Sequence, residues 1–250
     1  MTISHRESYS SAFKEYLDNR KNILCLLKAV PTDSEQLGSI QKRRLANTIY
    51  CSCVVLLTSY LERYIESLVV ESIDGINSSN LPLQSIPDSL LVVQVKESLE
   101  ALTSKLQKDL TKDNVFQMVL ASQQLSITHE WFLKEADVFD KLSGEPLIGE
   151  NRFSNPTPAK IDELFRHFGI GNLVGRAIGL EGKPDRGVLP DKTKEMIEKR
   201  NNVAHTGGTV VITKQDIRDY LIYSRRLARS IDLIVGQEIQ KITGGSWPWV

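Results

Sequence analysis

The sequence has little cysteine and no charge of one sign. Its three cysteines are an odd number, Cys25 alone and Cys51 and Cys53 two apart, which gives neither a disulfide framework nor CxxC metal spacing. Lys plus Arg number 31 and Asp plus Glu number 31, so no global positive field exists to hold a polyanion, and any nucleic-acid binding has to come from a local patch. The longest apolar run, Cys51 to Leu57, contains Ser52 and falls far short of the roughly 20 residues that span a bilayer. Glu7 and Lys14 interrupt the N-terminal stretch where a secretory leader would be apolar, so a soluble, cytoplasmic protein with no membrane segment is expected. There is no Walker A string, no GxSxG elbow and no metal-ligand spacing around His129 or His167, so no metal or cofactor is expected.

What is present is an ordinary globular composition, 41% hydrophobic and 25% charged over 250 residues, with helical periodicity and no alternating strand pattern. Tyr9, Phe13, Leu17, Leu24 and Leu27 mark one face of a first helix from Ser4 to Ala29, ended by Pro31. A longer helix is predicted from Glu35 to Ile73 and stopped by Asp74-Gly75. Residues 88–110 resume the helical period, and two shorter helices are predicted over Val115 to Leu125 and His129 to Leu142.

Gly144, Pro146, Gly149, Pro156 and Pro158 make a loop that separates an inserted helical segment, residues 77–149, from the rest of a single domain over residues 1–250. Pro158 opens a short helix through Ile161, Leu164 and Phe165 that Gly169 closes, and Gly169 to Pro190 reads as an irregular connection. In that stretch the glycines 169, 171 and 175 are spaced one residue too far for a dinucleotide loop, and no strand precedes them. Asp191 is the expected N-cap of a helix ended by Gly207-Gly208, and Thr213 with Asp216 resembles a capping box for a last helix towards Ile242. Trp247 and Trp249 follow in a tail that anchors either on the protein or on a partner.

The string EKRNNVAHTGG carries the chemistry, because Arg200, Asn201 and His205 combine a fixed cation, an amide and a titratable imidazole. Asn201 and His205 are four apart and share a helical face, and Arg200 lies about 140° round from His205 with a side chain long enough to reach an anion there. RNA cleavage needs a base for the 2′ hydroxyl, an acid for the leaving 5′ oxygen and a cation for the phosphorane, and these residue types supply those roles. One such His per chain leaves a proton carrier missing, which a two-fold dimer through this helix would provide.

Arg200-Asn-Asn-Val-Ala-His205 resembles the Arg-x4-His motif of HEPN domains (higher eukaryotes and prokaryotes nucleotide-binding), and the RNxxAH form followed by Gly is similar to the RiboL-PSP type. The strings LTSYLERYIESLV and NPTPAKIDELFRHFGI agree with it. The resemblance implies an all-α bundle with an antiparallel four-helix core, homodimerisation through the motif helix, and metal-independent endoribonuclease activity on an RNA substrate, in a setting of toxin-antitoxin or anti-phage defence, with an antitoxin or defence-system protein as partner. It assigns Arg200 to phosphate binding, Asn201 to the polar position after the arginine and His205 to acid-base work, with Glu62 and Asn202 in support. On this reading Glu62 or its neighbour Glu66 pairs with Arg200. Arg225, Arg226 and Arg229 are candidate RNA contacts, as is the run Lys42, Arg43 and Arg44. The competing expectation is a non-catalytic helical module that uses the same surface to dimerise or to hold a partner.

Overall fold

The structure is a computed structural model that describes residues 8–30, 39–79, 81–94, 96, 142–149, 153–180, 188–206, 210–245 and 247–249. Every regular element among the described residues is helical. Helix α1 (Ser11–Ala29) begins where the Ser10 hydroxyl accepts from the Phe13 amide at 2.9 Å, a standard N-cap. Its buried stripe is Phe13, Tyr16, Ile23 and Leu27, whereas Leu24, expected on that face, is exposed because it lies 100° from Ile23 on the outer side.

Helix α2 (Ile40–Asn77) runs 38 residues, about 57 Å at 1.5 Å per residue, and is capped by Ser39. Asp74-Gly75 does not stop it. Ile73 and Ile76 are both buried, and that burial outweighs the roughly 1 kcal/mol cost of a helical glycine. The end comes at Asn77, whose amide side chain bonds both ways with the Leu142 backbone, at 3.0 and 2.9 Å. Gln94 does the same with Ser143 at 2.8 and 3.1 Å, so the chain returns at 142 beside the points where it left. The helices predicted over Val115 to Leu125 and His129 to Leu142, and the residues Leu99 to Leu110, lie outside the described residues, as do Pro31 and Gly207-Gly208.

Helix α3 (Pro158–Arg166) follows its signals: Thr157 caps it, Pro158 occupies the first turn, and Gly169 ends the turn after it at φ +75°. The irregular connection expected next is instead helix α4 (Leu173–Leu180). Leu173, Val174 and Ala177 are buried on one face of it, against α6, and the Asp162 carboxylate accepts from the Val174 amide at 2.8 Å. Packing thus overrides the weak propensity of Gly175 and Gly179. Helix α5 (Val188–Thr206) starts before Asp191, which sits in the first turn rather than at the cap, and Pro190 is tolerated there because first-turn amides have no intrahelical acceptor.

Helix α6 (Lys214–Thr243) has the predicted capping box, with Thr213 and Asp216 exchanging bonds at 2.9 and 3.1 Å, and Gly244 ends it at φ +58°. α2 and α6 form the centre: α2 packs on α1, α5 and α6, and α6 packs on α1, α2, α4 and α5. Phe13 and Tyr16 of α1 cluster with Tyr64 of α2, and the Tyr64 hydroxyl donates to the Ala228 carbonyl of α6 at 2.8 Å. The tail folds back onto the protein, with Trp247 Nε1 donating to the Ser8 carbonyl at 2.7 Å and Trp249 buried. No described helix is long and apolar enough to cross a membrane.

Candidate active site

Helix α5 is fixed on the bundle by Thr193, Met196 and Ile197, all buried, and by a polar contact at Glu195 among them. The Tyr220 hydroxyl on α6 donates to Glu195 at 2.7 Å, and Lys192 bonds the other oxygen of the same carboxylate at 2.8 Å. Burial pushes Glu195 up, but the bonds from Lys192 and Tyr220 outweigh it and hold the carboxyl below its usual range. Burial first, then the carboxylate it faces, pushes the Tyr220 phenol well up, so it remains a donor. Together with the buried side chains, this contact fixes how α5 is rotated against α6.

With α5 so rotated, Arg200 is half-buried and its Nη1 donates at 3.0 Å to Oδ1 of Asn155 and at 3.0 Å to Oδ1 of Asn201. Among the described residues nothing accepts from its Nε or Nη2, and no ion pair joins it to Glu62 or Glu66. Glu62 is half-buried on α2, where its charge, after burial, raises the carboxyl of Glu66. Sequence reasoning pairs the arginine by charge, while the fold brings neutral amides to it.

Asn155 belongs to the loop before α3 and has a left-handed backbone, φ +54°, which Asn tolerates better than most side chains. The loop is tied down on both sides: Phe153 is buried, Lys160 Nζ donates to the Ser154 carbonyl at 2.6 Å, and the Thr157 amide donates to the Asn155 carbonyl at 2.7 Å. Sequence reasoning misses Asn155, although an Asn-Pro step ahead of a helix N-cap is a visible turn signal.

His205 stands exposed in the last turn of α5, and Asn202 is exposed beside it. Asn201 and His205 share a helical face as expected, but no hydrogen bond joins them among the described residues, and the Asn201 Oδ1 accepts from Arg200 instead. The end of α5 is held to α2 through the segment that follows: Lys199 Nζ donates to the Val211 carbonyl at 3.2 Å, and the Ile212 amide donates to Asn47 Oδ1 at 3.4 Å. Arg43 and Arg44 line an open cleft with Asn47 at that part of α2. Arg225 and Arg229 lie elsewhere, exposed on α6, where Arg229 Nε donates to the hydroxyl of Tyr9, just ahead of α1, at 2.9 Å. Arg226 is half-buried on the same helix. His167 caps α3 and faces the Ser89 carbonyl at 3.4 Å, a packing role. The cysteines are free thiols, and burial pushes Cys53 up to about 11. No three His, Cys, Asp or Glu side chains among the described residues are placed to hold a metal ion.

An all-helical bundle carrying Arg-x4-His on a packed helix is the architecture of a HEPN domain. The RiboL-PSP-HEPN family model matches residues 14–237, and the chain belongs to that family. No curated protein and no solved structure matches it. HEPN domains are often ribonucleases and commonly dimerise.

Proposed function

We propose that the protein is a metal-independent endoribonuclease acting through Arg200, Asn201 and His205, in the manner of a toxin or anti-phage effector. The observation that supports this most is the setting of Arg200. Its guanidinium is oriented by two uncharged amide oxygens, and its Nε and Nη2 are without a described protein acceptor. That edge suits the two oxygens of a phosphodiester.

In the proposed reaction the ribose 2′ oxygen attacks phosphorus, its proton goes to a base, and the P–O5′ bond breaks as an acid protonates the leaving oxygen. The products are a 2′,3′-cyclic phosphate and a free 5′ hydroxyl. Arg200 stabilises the phosphorane charge, and His205 carries one proton while the second copy's equivalent histidine carries the other. Asn201 holds Arg200, and Glu62 and Asn202 are supporting residues. Arg225, Arg226 and Arg229 are proposed to hold flanking phosphates. Residues 77–149 are read as an insertion in a single domain, consistent with the amide clasps of Asn77 and Gln94 at its re-entry.

The test is cleavage of RNA by the purified protein in EDTA, with oligomeric state measured in parallel. Full activity in His205→Ala, or in a monomer, would contradict this mechanism. A folded dimer that binds a protein partner and never cleaves would establish the non-catalytic module instead.

A further inference from the structure

We propose that Asn155 is a positioning residue for the reaction, one half of a neutral clamp that aims Arg200 without discharging it. The inference rests on the endoribonuclease reading above. An arginine that must meet phosphate has two competing needs: its fork has to be fixed in direction, and its charge has to stay available. A carboxylate partner would meet the first need and defeat the second, because an ion pair neutralises the field that the phosphate would feel.

The structure meets both. Nη1 is shared between Oδ1 of Asn155 and Oδ1 of Asn201, each at 3.0 Å, and both acceptors are uncharged. The two amides come from different elements, Asn201 from α5 itself and Asn155 from the loop before α3. Two acceptors on one nitrogen define the plane of the guanidinium, so the remaining Nε and Nη2 point in a fixed direction. Asn155 is itself immobilised, by its carbonyl bond from the Thr157 amide and by the Lys160 bond to the neighbouring Ser154 carbonyl. Its left-handed backbone, φ +54°, makes Asn a fitting residue there, since an amide side chain and tolerance of that conformation are needed together.

The two needs separate on substitution. Asn155→Gly keeps the backbone at ease and removes the acceptor. Asn155→Asp keeps both the acceptor and the turn and adds the charge that the clamp avoids.

The experiment uses the full chain with a cleavable RNA and with a 2′-O-methyl RNA of the same sequence, which binds but has no free nucleophile. Asn155→Gly is expected to lower kcat about tenfold, the loss of one charge-assisted bond. Its Kd for the 2′-O-methyl RNA should stay within about threefold, because charge survives and only direction is lost. Asn155→Asp is expected to weaken that Kd about tenfold, towards the value for Arg200→Ala. A wild-type kcat in Asn155→Gly, or a wild-type Kd in Asn155→Asp, overturns the proposal. If the wild type itself cleaves nothing, the endoribonuclease reading fails separately. The clamp is then read by NMR of the Arg200 guanidinium, whose restricted rotation must become faster in Asn155→Gly; unchanged rotation overturns it.

Discussion

Arg200 and Asn155 lie 45 positions apart in sequence and are joined by a 3.0 Å bond from Nη1 to Oδ1. The bond couples the motif helix to the loop that starts α3, so the direction of the guanidinium depends on the packing of two elements and not on α5 alone. A substitution at either end therefore has consequences for the other.

Arg200→Lys is the most informative single change in the motif. An ammonium keeps the charge, but it cannot satisfy both amides and still offer a flat two-pronged edge to phosphate. We expect kcat to fall by about 100-fold or more with the oligomeric state unchanged, as when one transition-state donor is removed. Steady-state cleavage and sedimentation check this; near-wild-type kcat would mean that only charge matters.

Asp232 gives the fold a pH dependence. It is fully buried, accepts from the Ser10 amide at 3.1 Å and from the Ser10 hydroxyl, and lies near Glu71 and Lys14. Burial raises it from 3.8 to about 6, with Glu71 adding to the rise and Ser10 and Lys14 opposing it. A raised carboxyl contributes stability that is complete below its unfolded value and lost as pH rises through about 6. The contribution should therefore grow between pH 7 and pH 4, by up to about 3 kcal/mol. Urea unfolding across that range should show the gain relative to Asp232→Asn, which lacks the titrating group.

The tail should behave as a strap. A Cβ on Gly236 would lie 2.6 Å from Trp249 Nε1 and 2.7 Å from Trp247 Cζ2, too close for either ring to stay. Gly236→Ala is expected to cost about 1–3 kcal/mol in the full chain. In a chain ended after Gly245 the same change should be neutral or stabilising by up to about 1 kcal/mol, because alanine favours helix and the rings are gone. Thermal unfolding of the four proteins decides it.

Arg225 and Arg229, if they hold flanking phosphates, carry a salt signature. For Arg225→Glu with Arg229→Glu, binding of 2′-O-methyl RNA should weaken at low salt. The slope of log K against log salt should fall by about 0.7 for each phosphate that is no longer neutralised. An unchanged slope would remove these residues from the RNA path.

Much of the scaffold is legible in the sequence. Thr213 with Asp216, and Pro158 with Gly169, announce their helix ends because capping is a local matter of side chain and nearby amide. The motif stands out on a helix because its residue types are rare in that combination. Helix α4 and the last turn of α2 are not legible, since each contains glycine in a place where burial of Leu173, Val174 or Ile76 decides the outcome. The partner of Arg200 is hidden for a related reason. Charge in the sequence points to Glu62 or Glu66, but a bond between distant residues is set by tertiary position, and an amide carries no charge to advertise it.

The central claim is tested most directly by incubating mixed cellular RNA with the pure protein in EDTA, beside an Arg200→Ala, His205→Ala double variant shown to be folded, and identifying the new ends. The account predicts cleavage by the wild type alone, leaving 2′,3′-cyclic phosphates and 5′ hydroxyls. Cleavage by both proteins, or by neither, would contradict it.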